Sequence, residues 1–260
     1  VMKQLKIKDL TVGTVLREIS LAKNNLIFVD EFRDLFTGDK TMIKIADIYE
    51  RYDDLKFKKM LLDFDDLLIQ VFILLRDNPA IKEKYLEMFN SVLIDEFQDT
   101  NPVQLEILKL LITENKDNSS FWVCGDDHQS IYGFAGASVG NILNFKTMFP
   151  LSEQFILELN FRSTKKIVQA CSNLAMHFKR QIHKEFKTNN VKGDDVIVLE
   201  SSNEMTEALA LVREITDLVE RKGYKYNEIA VLYRANFQSL YPEEAFLQNK
   251  IPFYIQGGQN

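Results

Sequence analysis

No apolar run in the 260-residue sequence approaches the roughly 18 residues that a membrane-spanning helix needs, and no signal peptide is visible. Cysteine is scarce: Cys124 and Cys171 share no short motif spacing and fit a reducing cytoplasm. Cys124 follows Phe121-Trp122-Val123 and reads as a buried strand thiol. Of three histidines, His128 has no second histidine or cysteine at metal-ligand spacing and reads as a polar loop residue. His177 and His183 lie in or after a helix and carry no signal. Positive charge is also short. The net charge is −6, so the totals do not advertise a nucleic-acid binder, although a global sum can hide a local basic groove. What is present is a 46% hydrophobic chain able to bury a core, as one large domain or two ordinary ones. Its opening, VMKQLKIKDL, begins in mid-pattern, and a fragment is expected.

Residues 1 to about 60 have helical spacing: Leu16, Ile19 and Lys23 share one face, and Ile43, Ala46 and Tyr49-Glu50 suggest a second helix. These residues read as a small helical subdomain. From residue 63 the pattern changes. Asp63 or Asp65 can cap a helix whose Leu67, Leu68, Val71, Leu74 and Leu75 make an apolar face, and Pro79 starts the next. Ser91–Glu96 reads as a short strand buried on both faces. Asn101-Pro102-Val103-Gln104 gives an N-cap, a first-turn proline and a capping-box glutamine, opening a helix to about Glu114. Further strands are predicted at 121–125, 154–159, 196–200, 228–233 and 252–256, with helices at 163–179, 203–222 and 239–249. Apolar strands alternating with helices argue for parallel α/β sheets, and the rhythm resets near residue 155.

In such sheets ligands bind beyond the carboxyl ends of the strands, where three unusual segments fall. The first is SVLIDEFQDTN, an apolar strand running into Asp95, Glu96 and Asp99. Like charges cost stability unless something positive sits among them. One carboxylate can hold Mg²⁺ while its neighbour polarises an attacking water. Taken alone, the pair favours a plainer reading, an N-cap cluster for the helix at 102. The second segment is GDDHQSIYGFAGA, where glycines permit tight turns and Gln129 can reach a phosphate oxygen or a water. Tyr132 and Phe134 there suit stacking on bases, or else pack under the loop. The third is LELNFRST, which places Arg162 at a helix start, suited to an anion or to pairing with Glu158 or Glu153.

Together, DEFQDTN, GDDHQSIYGFAGA and LELNFRST, in this order and spacing, resemble motifs of UvrD/Rep/PcrA-type superfamily 1 DNA helicases. LDFDDLL at 62–68, VLYRANFQS at 231–239 and IPFYIQGG at 251–258 resemble flanking segments of that family. The resemblance implies partial RecA-like (P-loop NTPase) parallel-sheet cores with a helical accessory subdomain. Residues 1–61 would be that subdomain, 62–154 the C-terminal part of the first core, and 155–260 the N-terminal part of the second. It further implies a cytoplasmic ATP- and Mg²⁺-dependent motor moving 3′ to 5′ on single-stranded DNA and acting at duplex junctions. By position, Asp95 would hold Mg²⁺, Glu96 would activate water, Gln129 would sense the terminal phosphate and Arg162 would reach it. Phe161 stands where the family has a tyrosine stacking on adenine, and Tyr132 and Phe134 match aromatics that lie against DNA bases.

Two departures stand out. No G-x-x-x-x-G-K-[ST] phosphate loop occurs in the 260 residues, so these residues alone are expected to be inactive as an ATPase. Ala135 stands where the family often has an arginine. The alternatives are a DNA-binding scaffold on a degenerate helicase core and a subunit of a helicase–nuclease complex.

Overall fold

The computed structural model describes residues 1–2, 10–112, 120–133 and 136–256. Two units emerge, Val1–Val191 and Lys192–Asn260. No helix among the described residues is long and apolar enough to cross a membrane.

The larger unit begins with three helices: α1 (Val12–Asn24), α2 (Val29–Leu35) and α3 (Lys40–Lys59). Thr11 caps α1 and Asp39 caps α3 through side-chain oxygens, each satisfying an orphan amide of the first turn. Val15, Ile19 and Ala22 recur at helical spacing and pack with Phe32, Ile45, Ala46, Ile48 and Tyr49. Of the expected face, Ile19 and Lys23 are buried, while Leu16 is exposed and its neighbour Val15 is buried instead.

Next come α4 (Phe64–Asp77) and α5 (Pro79–Met88). Asp63 and Asp66 form a reciprocal capping box at the start of α4. Ile69 and Leu75 are its buried residues, whereas Leu67, Val71 and Leu74 of the predicted face are exposed. The helix packs against α1, α5 and α6 (Pro102–Leu111).

The first turn of α4 also meets two lysines. The Lys23 ammonium, on a side chain 1% exposed, lies 2.8 Å from Asp63, 2.6 Å from Asp66 and 3.3 Å from Asp53. Lys56 lies 2.8 Å from Asp63 and 2.9 Å from Asp53, and the Tyr52 hydroxyl donates to Asp63 at 3.1 Å. Burial alone would raise the Asp63 and Asp66 carboxyls, but the two ammonium groups overturn this and hold both below the ordinary 3.8. A group depressed in the folded state stabilises fully above its unfolded value and loses that contribution as pH falls through the folded one. The denaturation midpoint of the helical part should therefore be flat above about pH 5 and fall below about pH 4. Circular dichroism titrations with urea check this, and a midpoint unchanged down to roughly pH 2 would contradict it.

Strands β1 (Ser91–Ile94) and β2 (Ser120–Val123) pair in parallel, from Ser91 opposite Ser120 to Ile94 opposite Val123, with α6 as the crossover. Asn101 caps α6 and exchanges hydrogen bonds with Gln104, as the sequence predicts; the last predicted residues of that helix, 113–114, lie outside those described. The Asn101 side-chain amide also donates to Asn24 at 2.8 Å, tying α6 to the end of α1. Two short helices follow, α7 (Gly140–Leu143) and α8 (Phe145–Met148), and Phe145 at the start of α8 meets the fully buried Phe97 edge-on at 5.5 Å. The unit closes with α9 (Lys165–Ala175) and an extended segment whose Lys187 bridges Leu159 in parallel.

The smaller unit packs α10 (Glu204–Glu220) against α11 (Leu240–Gln248) around Ala208, Val212, Ile215, Ala245, Phe246 and Ile251. Asn203 caps α10, and Gly223 adopts φ +76° just beyond it, where a side chain would be strained.

Helices mixed with a small parallel sheet match part of a RecA-like core, but the strand count is corrected. Among the described residues only β1 and β2 form a ladder; 196–200, 228–233 and 252–256 do not, and 154–159 makes only the isolated bridge at Leu159. β1 is not buried on both faces either: Leu93 and Trp122 are exposed on one face, and the Cys124 thiol at the strand end is exposed. The reason is that an apolar run encodes a demand for burial, whereas a strand exists only when another strand lies alongside. Val198 and Leu232, 90% and 92% exposed, meet no such neighbour among the described residues.

Candidate functional site

Parallel pairing puts the ends of β1 and β2 side by side, and the hydrogen bonds continue past both strands. Cys124 N donates to the Ile94 carbonyl at 2.8 Å and Phe97 N to the Cys124 carbonyl at 2.9 Å. Between those anchors the chain turns sharply, with Glu96 at φ 49° and ψ 42°. A left-handed conformation costs a non-glycine residue about 1–2 kcal/mol, and the buried Phe97 that follows holds it in place.

Asp95 and Glu96 are both exposed at this mouth. Asp95 Oδ1 accepts from the Glu96 amide at 2.9 Å, and Glu96 Oε2 accepts from Gln98 Nε2 at 2.7 Å. Gln98 is 1% exposed, and its Oε1 accepts from the Asp126 amide at 2.9 Å. One buried side chain thus spans the loop after β1 and the loop after β2. A Cβ at Gly125 would lie 2.5 Å from that Oε1, which is why a glycine stands there. Asp99 Oδ1 is buried without a hydrogen-bond partner, and burial, then the charge of Glu96, raises its carboxyl. None of these carboxylates caps α6; Asn101 does, so capping does not account for the acidic cluster.

The loop after β2 is organised around Asp126. Gln129, exposed, donates from Nε2 to Asp126 Oδ2 at 2.8 Å, and His128 N donates to Oδ1 at 3.1 Å. Lys184 also donates to Asp126 and pairs with Asp127 at 2.6 Å, and Ile182 N donates to Asp127 at 2.8 Å. Burial would raise the Asp126 carboxyl, but the bonds from Lys184, Gln129 and His128 hold it below the ordinary range. His128 is not a simple polar loop residue. Its ring meets Phe178 and Phe186 edge-on at 5.3 and 5.6 Å, with Nε2 2.9 Å from Gln181 Oε1. Those partners lie fifty or more residues away, beyond the reach of local spacing.

At the third segment, Asn160 Oδ1 accepts from the amides of Arg162 and Ser163 at 3.0 and 2.7 Å, a side-chain turn leading into α9. Phe161 is 81% exposed and Arg162 is exposed. Glu158 pairs with Lys187 at 3.1 Å, and Arg162 makes no ion pair among the described residues. Tyr132 is about half exposed, while Phe134 and Ala135 lie outside the described residues. Gly136, at φ +89°, comes so near α1 that a Cβ would lie 3.2 Å from Asn24 Cβ.

The structure therefore joins Asp95, Glu96 and Gln129 through Gln98 and Asp126, and leaves Phe161 and Arg162 on a separate exposed turn. Gln98, Asp126 and Lys184 escape sequence reasoning. The first two sit inside quoted motifs without an assigned role, and nothing near Lys184 in sequence points to it. Among the described residues no group of three or more His, Cys, Asp and Glu is placed to hold a metal by itself. Asp95 and Glu96 nonetheless fit Mg²⁺ chemically, as exposed hard oxygen donors of the kind that share the ion with water and phosphate.

Residues 2–150 match the family model of the UvrD/REP helicase N-terminal domain, and residues 155–260 that of the UvrD-like helicase C-terminal domain. The chain is 38% identical over 215 residues to ATP-dependent DNA helicase PcrA of Staphylococcus epidermidis, covering 83% of this chain and 29% of that protein. It is 34% identical over 245 residues to PcrA of Leuconostoc citreum, covering 94% and 32%. DNA helicase II of Haemophilus influenzae is 37% identical over 230 residues, covering 88% and 30%. The chain thus spans about a third of the length of these relatives. With matched domains over most of its length, this chain belongs to the UvrD/Rep/PcrA-type family of DNA helicases.

Proposed function

We propose that the protein carrying this chain is an ATP-dependent DNA helicase that moves 3′ to 5′ along single-stranded DNA and opens duplex junctions in the cytoplasm. In this reading 1–61 is an accessory subdomain, 62–154 belongs to the first RecA-like core and 155–260 to the second. One observation carries the assignment: Gln98 ties Glu96 to the loop of Gln129 at the carboxyl ends of adjacent parallel strands.

In the proposed reaction Glu96 takes a proton from water as the water oxygen attacks the terminal phosphorus of ATP, and the bond to the bridging oxygen breaks to release ADP. Gln129, steadied by Asp126, orients that water or a phosphate oxygen. Arg162 neutralises charge on the transferring phosphoryl group, and Phe161 offers a face for adenine. Asp95 would hold Mg²⁺, which supplies charge neutralisation on the phosphate oxygens. Tyr132 and Phe134 are proposed to stack on DNA bases.

The 260 residues alone should not turn over ATP, because no lysine-bearing glycine loop is present to hold the β- and γ-phosphates. The full-length protein should hydrolyse ATP with single-stranded DNA and displace a strand from a 3′-tailed duplex but not from a 5′-tailed one. Steady-state ATPase and strand-displacement assays check both. Turnover by the 260 residues that is lost on Glu96→Gln would overturn the first expectation. Binding of DNA without any ATPase in the full-length protein would favour the scaffold alternative.

A further inference from the structure

The segment 181–190 touches both halves of the candidate site. Its burial alternates strictly from Ile182 onward: Ile182, Lys184, Phe186, Thr188 and Asn190 are half-buried, and the residues between them are exposed. That period of two is the signature of extended chain. It is pinned at its middle by the parallel bridge of Lys187 to Leu159, with Asn160 N donating to the Lys187 carbonyl at 2.7 Å.

The inward residues of its two ends meet different loops. At the first end Lys184, its side chain only 10% exposed, bridges Asp126 and Asp127, and the Ile182 amide caps Asp127. Asp126 is the carboxylate that holds Gln129. At the other end Asn190 Nδ2 donates to the carbonyls of Phe161 and Ser163 at 3.0 and 3.1 Å, and Thr188 Oγ1 donates to Ser163 at 3.2 Å. Those carbonyls flank Arg162. Asn190 lies six residue steps of extended chain beyond Lys184, roughly 20 Å at the usual rise.

We infer that segment 181–190 is a spacer that sets the position of Gln129 relative to Arg162, with Lys184 the positioning residue at its Gln129 end. The inference rests on the proposed roles of Gln129 and Arg162. Lys184 touches no nucleotide; it acts through Asp126. Without its ammonium, Asp126 and Asp127 face each other uncompensated, and the Asp126 carboxylate no longer has a fixed orientation to offer Gln129. Binding of ATP, made mainly elsewhere, should survive, while alignment for the chemical step should not.

The test uses the full-length protein with saturating single-stranded DNA. Lys184→Met should lower kcat about tenfold with KM for ATP within about twofold of the parent, and Lys184→Arg should restore most of the loss. In a Gln129→Ala background Lys184→Met should cost little more, because the interaction it serves is already gone. Asn190→Ala, paired in the same way with Arg162→Ala, tests the other end and stands in if Lys184→Met does not fold. Near-parental kcat in Lys184→Met, or losses that simply multiply in both cycles, would overturn the inference. Glu96→Gln in the same assay separates the two levels. If Glu96→Gln is inactive while Lys184→Met and Asn190→Ala are normal, the spacer alone is wrong; if Glu96→Gln is active, the active-site assignment is wrong.

Discussion

Glu96→Gln in the full-length protein should abolish most ATP hydrolysis while leaving ATP binding within a few-fold of the parent. The substitution keeps the size of the side chain and an oxygen able to accept from Gln98, so the turn at φ 49° and the bridge to Asp126 should persist. What it removes is the proposed base. General-base catalysis contributes about 10²–10⁴-fold, and the fall in kcat should lie in that range. Arg162→Ala should also slow hydrolysis, by about 10²-fold or more, since it removes the cation proposed to neutralise the transferring phosphoryl group. Arg162 is exposed and makes no ion pair among the described residues, so its loss should not lower the melting temperature. DNA-stimulated ATPase assays with equilibrium binding of a fluorescent nucleotide measure both variants. Near-normal kcat in both would refute the assigned site.

The second large effect concerns stability. Lys23→Ala should destabilise the helical part by about 3 kcal/mol, the low end for removing one partner from a buried ion cluster. The ammonium is 1% exposed and lies within 3.3 Å of Asp53, Asp63 and Asp66. Its removal leaves a cavity and three carboxylates sharing Lys56 alone. Lys56 still reaches Asp63 at 2.8 Å, which is why the loss should not reach the upper end. Because the cluster joins α1, α3 and α4, the change should loosen all three together. Urea unfolding followed by circular dichroism at neutral pH gives the value, and a loss under about 1 kcal/mol would show the cluster to be dispensable.

The acidic dependence expected of Asp63 and Asp66 provides an internal check. In Lys23→Ala those carboxyls lose one of the two cations that depress them, so the fall in stability should begin at a higher pH than in the parent.

Much of the chain was legible in its sequence, for reasons that differ from element to element. Asn101-Pro102-Val103-Gln104 specifies a helix start because all the groups that satisfy the first-turn amides lie within three residues of one another. Asn203 before α10 and Gly223 after it are equally local. Position within a motif likewise placed Asp95 and Glu96 at the end of β1 and Gln129 after β2, since a strand end and the residues beyond it are neighbours along the chain. Such features depend on contacts between residues close in sequence.

Tertiary structure alone decided the rest. Whether 196–200 becomes a strand depends on a partner strand, and apolarity cannot supply one. Lys23 has the spacing of an ordinary interface lysine, and only the arrival of Asp63 and Asp66, some forty residues on, makes it a buried ion. His128 became a packed ring because Phe178 and Phe186 close over it. Gln98 and Lys184 acquire their roles from groups 28 and 58 residues away. Sequence spacing reports what a residue can do with its neighbours along the chain; the groups that position a catalytic side chain reach it through space, where folding alone assigns them.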